Sequence, residues 1–175
     1  MVLTIGHSNR PIDEFLRLLR AHGVELVMDV RTVPRSRHNP QFNRDTLPNV
    51  LETEGIRYEH MPGLGGLRHA RKDSPNTGWK NLSFRGYADY MQTEEFVQSL
   101  DLLASRAREY RTAIMCAEAV PWRCHRSLIA DALTVRGIPV NHILSETKSN
   151  AHQLTKFARI EGLRITYPGE NLHLF

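Results

Sequence analysis

The sequence predicts a single α/β domain with a mostly parallel sheet flanked by helices. Three observations carry this expectation. Short apolar, β-branched runs alternate with segments of helical periodicity from residue 2 onward, and such alternation implies crossover connections and a parallel sheet. Proline and glycine punctuate the alternation where helices start and stop. The 175 residues, 41% apolar and 24% charged, suit one globular domain with its own core.

The elements follow in order. Val2–Ile5 is a β-branched run ending at Gly6. Pro11 opens a helix whose Ile12, Phe15, Leu16 and Leu19 recur at helical spacing, and Gly23 stops it. Glu25–Val30 is the second strand. Thr46–Glu54 is a short helix stopped by Gly55, and Ile56–His60 is the third strand. Met61–Leu82, with Gly63, Gly65, Gly66, Pro75 and Gly78, is a long irregular loop, a functional or mobile segment by its length. Phe84–Met91 and Glu94–Tyr110 are helices, the latter capped by Thr93 and apolar along Phe96, Leu100, Leu103 and Ala107. Thr112–Met115 is the fourth strand. Leu128–Val135 is the following helix, and Pro139–Leu144 is the fifth strand. Ala151–Ile160 is expected as a last helix stopped by Gly162, Leu163–Thr166 as a short edge strand, and the tail after Pro168 as irregular.

Composition narrows the function classes. No apolar run approaches the roughly 20 residues that span a bilayer, and the start of the chain lacks a signal-peptide pattern. A cytoplasmic location and no membrane partner are therefore expected. Two cysteines in such a chain are not expected to form a structural disulfide. A formal charge of +4 favours anionic partners: a small phosphorylated molecule, a nucleotide or a nucleic acid. Nothing in the sequence sets the oligomeric state.

Three strand ends carry polar clusters. Gly6-His-Ser-Asn-Arg10 follows the first strand, Asp29-Val-Arg-Thr-Val-Pro-Arg-Ser-Arg37 the second, and Cys116-Ala-Glu-Ala-Val-Pro-Trp-Arg-Cys-His-Arg126 the fourth. In a parallel sheet all three lie on one edge and can converge on one crevice. In the first cluster Ser8 or Asn9 can cap the next helix, whereas His7 and Arg10 need another reason. In the second, Asp29 and Arg31 share one face of an extended chain, so a structural ion pair competes with a catalytic role. Arg35 and Ser36 supply donors for phosphate oxygens.

The third cluster holds both cysteines. With Pro121 opening the helix, Cys124 and His125 fall in its first turn, where a thiolate is stabilised. The loop has no glycine, and Glu118 lies two residues from Cys116, which argues against a cysteine-dependent phosphatase. Glu118 can instead act as nucleophile or general acid, paired with Asp29 across the crevice, as N-glycosidic chemistry would require. His7 and His125 are candidate proton carriers near neutral pH. Cys116, Cys124 and His125, with His7 and His60 nearby in type, also supply metal ligands, although the spacing matches no zinc finger. A metal is thus an open cofactor candidate. Gly65 and Gly66 let backbone approach a ligand; Arg68, His69, Arg71 and Lys72 make that loop basic, and Trp79 and Phe84 offer stacking faces, as in a closing lid. Tyr87 is a binding candidate, with core packing as the competing role for it or Tyr90.

Together these motifs resemble the domain of unknown function 488 family. The carrying residues are Thr4-Ile-Gly-His-Ser-Asn9, Asp29-Val-Arg31 with Pro34 and Ser36, Leu64-Gly-Gly66, Phe84 with Tyr87-Ala-Asp-Tyr-Met91, and Cys116-Ala-Glu118 with Pro121 and Cys124-His-Arg126. The resemblance implies a bacterial or archaeal cytoplasmic α/β protein and chooses no reaction. The residues themselves favour an enzyme, a hydrolase or transferase, acting on a phosphorylated or nucleotide-like substrate. In that reading Glu118, Asp29, His7 and His125 do the chemistry. Ser8, Asn9, Arg10, Arg31, Arg35, Ser36, Gly65, Gly66, Tyr87, Cys116 and Arg126 bind. A non-catalytic nucleic-acid-binding module and a Cys/His metal or redox protein are the alternatives.

Overall fold

A six-stranded sheet runs in the order β3-β2-β4-β1-β5-β6. Its strands are β1 (Val2–Gly6), β2 (Leu26–Asp29), β3 (Arg57–His60), β4 (Thr112–Cys116), β5 (Val140–Ile143) and β6 (Ser149–Ala151). The first five are parallel, and β6 adds antiparallel to β5. The computed structural model describes residues 1–169, so the expected irregular tail falls almost wholly outside the described residues.

The pleat decides which side chains face which helices. In β1, Leu3 and Ile5 point to the face covered by α1 (Ile12–Ala21) and α2 (Leu47–Thr53), where they meet Phe15, Leu19, Leu47 and Leu51. Val2 points to the other face, with Met28 and Ile114. That face carries α3 (Leu82–Tyr90), α4 (Glu94–Glu109) and α5 (Arg126–Val135), through Tyr87, Phe96, Leu100, Leu103, Leu128 and Leu133. Both cores are closed to water, as a parallel sheet requires.

The topology creates a crevice. β1 leads through α1 toward β2 on one side, whereas its neighbour β4 leads through α5 toward β5 on the other. The two connecting helices lie on opposite faces, so the chain diverges at the carboxyl ends of β1 and β4. The pairing continues past the strands: His7 N donates to Cys116 O and Ser8 N to Ala117 O, both at 2.9 Å. Gly6 is required here, because a Cβ at this position would lie 2.0 Å from the Glu118 carbonyl oxygen.

Two sequence expectations are corrected and a third is sharpened. Ala151–Ile160 is not a helix: it supplies the end of β6, an irregular stretch and part of β7 (Arg159–Glu161). Asp131 of α5 explains this, because it accepts from Thr155 N (3.1 Å), Thr155 Oγ1 (2.7 Å) and His152 Nε2 (2.7 Å), which ties down backbone and side chains a helix would place elsewhere. The strand at Leu163–Thr166 is β8 (Arg164–Thr166), paired with β7 in a separate hairpin turned by Gly162 at φ +62°. Pro121 opens an isolated 3-10 turn, Pro121–Arg123; Cys124 is extended and His125 is the residue before α5.

The long loop after β3 is tied down as well. Asp89 of α3 accepts from Arg71 N, Ser74 Oγ and Asn76 Nδ2 at 2.6–2.8 Å. Trp79 packs against Phe84, Phe157 and Tyr167. A free lid offering Trp79 as a stacking face is therefore replaced by a loop pinned onto α3.

Candidate functional site

The cleft at the β1/β4 divergence has two lobes that share Gly66, Leu67, Cys116, Ala117 and His125 as their common wall. The larger, about 440 Å³, is completed by His7, Ser8, Arg31, Thr32, Val33, Arg35, Ser36 and Asn39. The smaller, about 260 Å³, is completed by Ser83, Phe84, Tyr87, Glu118, Arg123 and Cys124. All three strand-end clusters thus contribute to one cleft. Its two non-glycine residues with left-handed backbone, Ser8 (φ +50°) and Leu67 (φ +57°), stand on its walls.

Behind the larger lobe lies a saturated charge network. Asp29 is fully buried at the end of β2. Its oxygens accept from Arg31 Nε (2.8 Å), Arg31 Nη2 (2.5 Å), Arg31 N (3.1 Å) and Tyr58 OH (2.7 Å). Burial and the neighbouring carboxylate raise the Tyr58 phenol well above its ordinary range, so it remains a donor. Arg31 also donates through Nη2 to Phe42 O (2.7 Å) and through Nη1 to His7 Nε2 (3.2 Å). His7 Nε2 is therefore an acceptor, and His7 Nδ1–H donates to Ser8 O at 2.7 Å. The ring stacks on Phe42 at 4.3 Å. Desolvation by burial lowers its pKa from 6.5 to about 4, and the Arg31 charge works in the same direction. His7 is thus a neutral, fixed ring, and the expectation that it carries protons near neutral pH is corrected.

At the floor of the cleft, Cys116 ends β4 and Cys124 and His125 precede α5. Both cysteines are free, and their sulfurs and His125 Nδ1 lie within 4.8 Å of one another. His125 Nδ1 is 4.0 Å from Cys116 Sγ and 3.7 Å from Cys124 Sγ. Val30 O, which can only accept, takes a hydrogen bond from His125 Nε2 at 3.0 Å, and this turns Nδ1 toward the sulfurs. Gly66 packs against the same ring; a Cβ there would stand 3.2 Å from Nδ1.

Arg126 lies beneath the cluster, 1% exposed. Its Nη2 donates to the carbonyls of Glu118 and Ala119, its Nη1 to Thr4 Oγ1 (3.3 Å), and its Nε to Cys124 Sγ (3.5 Å). No carboxylate among the described residues pairs with it. Hydrogen bonding from Cys116, opposed by burial and aided by the Arg126 charge, holds the Cys124 thiol well below its usual range. The same sharing and burial push the Cys116 thiol up. The two shifts run in opposite directions, and the more acidic sulfur of the pair is the one at the arginine.

The other predicted site residues divide. Arg35 and Ser36 line the larger lobe, and the Arg35 side chain, exposed at the rim, has no partner among the described residues. Glu118 is exposed on the smaller lobe; its carboxylate accepts from Val120 N (3.2 Å) and pairs with neither Arg123 nor Arg126. Arg10 turns away to Glu14 at 2.5 Å, and Asn9 is exposed outside the cleft. Neither Ser8 nor Asn9 caps α1; its N-cap residue is Pro11, and no side chain caps the helix. Tyr87 is 1% exposed with its hydroxyl donating to Leu64 O (2.8 Å), so it chiefly holds the turn before Gly65 and Gly66. Gly65 itself packs against Thr32 and lies behind the wall. His60 Nε2 donates to Arg31 O and joins no ligand cluster.

Sequence reading missed Thr32, Asn39 and Leu67, which line the cleft without chemically marked side chains. It also missed a buried polar chain behind Arg126: Thr4 Oγ1 to His142 Nδ1 (2.7 Å), His142 Nε2 to His152 Nδ1 (3.0 Å), then Asp131. The available signal was a polar residue at each of three core positions, Thr4, Asp131 and His142. No helix among the described residues is long and apolar enough to cross a membrane.

No curated protein and no solved structure matches this chain. A family model does match: that of the domain of unknown function DUF488, over residues 11–133, more than half of the chain. The matched span takes in the second and third clusters with the glycine turn between them, and begins one residue after the first cluster. On that match the chain belongs to the DUF488 family.

Proposed function

We propose that the two-lobed cleft is the active site of a hydrolase or transferase that takes a phosphorylated or nucleotide-like small molecule. One observation carries the reading: an unpartnered guanidinium, Arg35, and a thiol–imidazole cluster face the same cleft at the sheet's switch point. In this reading Arg35, with Ser36 and Ser8 beside it, holds the anionic group. The reacting bond lies over Cys116 and His125. Lobes of about 440 and 260 Å³ suit a small ligand better than a nucleic-acid strand.

Glu118 is the carboxylate positioned to move a proton in the smaller lobe; Asp29 is not, because its oxygens are engaged and sealed from the cleft. Asp29 instead positions Arg31, which positions His7. A pair of carboxylates flanking a glycosidic bond is therefore not part of the proposal.

The test is a turnover screen of nucleotides and phosphosugars, with Cys116→Ala and Arg35→Ala alongside. Loss of turnover in the first and a raised KM with kcat retained in the second support the reading. Turnover unchanged in both would refute it.

A further inference from the structure

We infer that Cys116, Cys124 and His125 form a three-ligand site for a zinc ion whose fourth position opens on the cleft. The inference stands on the geometry of the ligands, independently of which substrate the cleft takes.

Tetrahedral zinc with Zn–S about 2.3 Å and Zn–N about 2.0–2.1 Å holds sulfur and nitrogen ligands about 3.6 Å apart and two sulfurs about 3.8 Å apart. The distances here are 3.7 and 4.0 Å from His125 Nδ1 to the sulfurs, with all three atoms within 4.8 Å. Closing onto an ion thus needs movements of a few tenths of an ångström to about 1 Å. The surroundings are those of a ligand shell. A metal-binding imidazole typically donates its second N–H to a carbonyl, which fixes the ring. His125 Nε2 does so to Val30 O at 3.0 Å. A thiolate ligand is typically hydrogen-bonded from behind, as Cys124 Sγ is by Arg126 Nε at 3.5 Å.

The set is also closed at three. Among the described residues no further histidine, cysteine or carboxylate joins the cluster. The other histidine lining the cleft, His7, has both ring nitrogens engaged. Three protein ligands with one open position is the arrangement of a catalytic zinc, whereas structural zinc takes four. Cys116 and His125 belong to the wall shared by both lobes, so a water or substrate oxygen in the cleft completes the coordination. Thiolate and imidazole together select zinc over magnesium or calcium. Each cysteine that enters the shell as a thiol releases its proton to solvent, and no oxidant or reductant is involved.

The experiment uses the full chain, purified without a metal-affinity column or chelator from zinc-supplemented growth. Elemental analysis should give about one zinc per chain. Replacement by Co²⁺ should produce sulfur-to-cobalt charge-transfer absorption and the intense visible bands of a tetrahedral site. Cys116→Ser and Cys124→Ser should each lower zinc occupancy at least tenfold, with folding followed by circular dichroism; His69→Ala, on the exposed loop, should not. Wild-type protein that folds, holds less than a tenth of an equivalent of zinc, gives no cobalt spectrum and shows two titratable thiols would overturn the site. Nucleotide binding by that metal-free protein, lost in Arg35→Ala, would at the same time leave the cleft reading standing.

Discussion

Arg126 Nε lies 3.5 Å from Cys124 Sγ, and that sulfur is the one acceptor around the buried guanidinium that can hold a full negative charge. The other acceptors are two carbonyls and the Thr4 hydroxyl. A buried charge needs a counter-charge, and among the described groups around Arg126 only the Cys124 sulfur can supply one. Arg126→Met should strand those acceptors and destabilise the fold by about 2–5 kcal/mol. Denaturant titration checks this; a loss under about 0.5 kcal/mol, the scale of an ordinary surface change, would contradict it.

The two carboxylates separate cleanly. Asp29→Asn breaks a buried pair with Arg31 and should cost about 3–5 kcal/mol. Glu118→Gln touches one exposed backbone contact and should leave stability within about 0.5 kcal/mol. Its turnover should fall at least tenfold on whichever substrate the screen identifies, whereas Asp29→Asn, measured where it remains folded, should lose far less. Thermal melts beside initial rates distinguish the two; full activity in Glu118→Gln would remove that residue from the chemistry.

Stability should fall in mild acid. Burial lowers His7 and His142 from 6.5 to about 4. Between those values the unfolded chain takes up protons that the folded chain refuses, so stability present at pH 7 is lost as pH drops toward 4. A charged His142 would have to donate from both nitrogens, toward Thr4 and His152, and could no longer accept from either. The loss by pH 4.5 should be on the order of 2–3 kcal/mol for each histidine. Denaturation at pH 7.0 and 4.5 checks it, with His142→Gln expected to flatten the dependence by about one histidine's share. An unchanged slope in that variant would contradict the assignment.

Gly66→Ala tests the packing of the cluster. The added methyl would stand 3.2 Å from His125 Nδ1, so the ring or the turn must shift. The fold should persist, because Gly66 is half-buried at the cleft wall, while turnover falls at least tenfold. Parallel circular dichroism and rate measurements decide; a fully active Gly66→Ala would show that the ring's position is not critical.

Much of this arrangement is legible in the sequence where local and global preferences agree. Pro11, Gly23, Gly55 and Gly137 bracket helices whose apolar spacing is unambiguous, and a parallel sheet then forces the strand ends after β1, β2 and β4 onto one edge. What stayed hidden depends on contacts distant in sequence. Ala151–Ile160 has helix-compatible composition, yet Asp131, more than twenty residues earlier, captures Thr155 and His152 and holds the segment open. Asp29 and Glu118 look alike as strand-end carboxylates. Only the Tyr58 hydroxyl and the bidentate Arg31 show that one is sealed while the other is exposed. Local pattern likewise cannot show that Arg10 turns to Glu14 while Arg35 stays unpartnered at the rim.

The central claim is that a phosphorylated small molecule sits in the cleft between Arg35 and the Cys116–Cys124–His125 cluster. A crystal structure of the protein soaked with a nucleoside monophosphate tests it most directly. The account predicts the phosphate on Arg35 and Ser36, with the rest of the molecule extending across the wall of Gly66, Cys116 and His125. A nucleotide bound elsewhere with this cleft empty at saturating concentration, for instance in the groove beside Trp122 and His152, would contradict it.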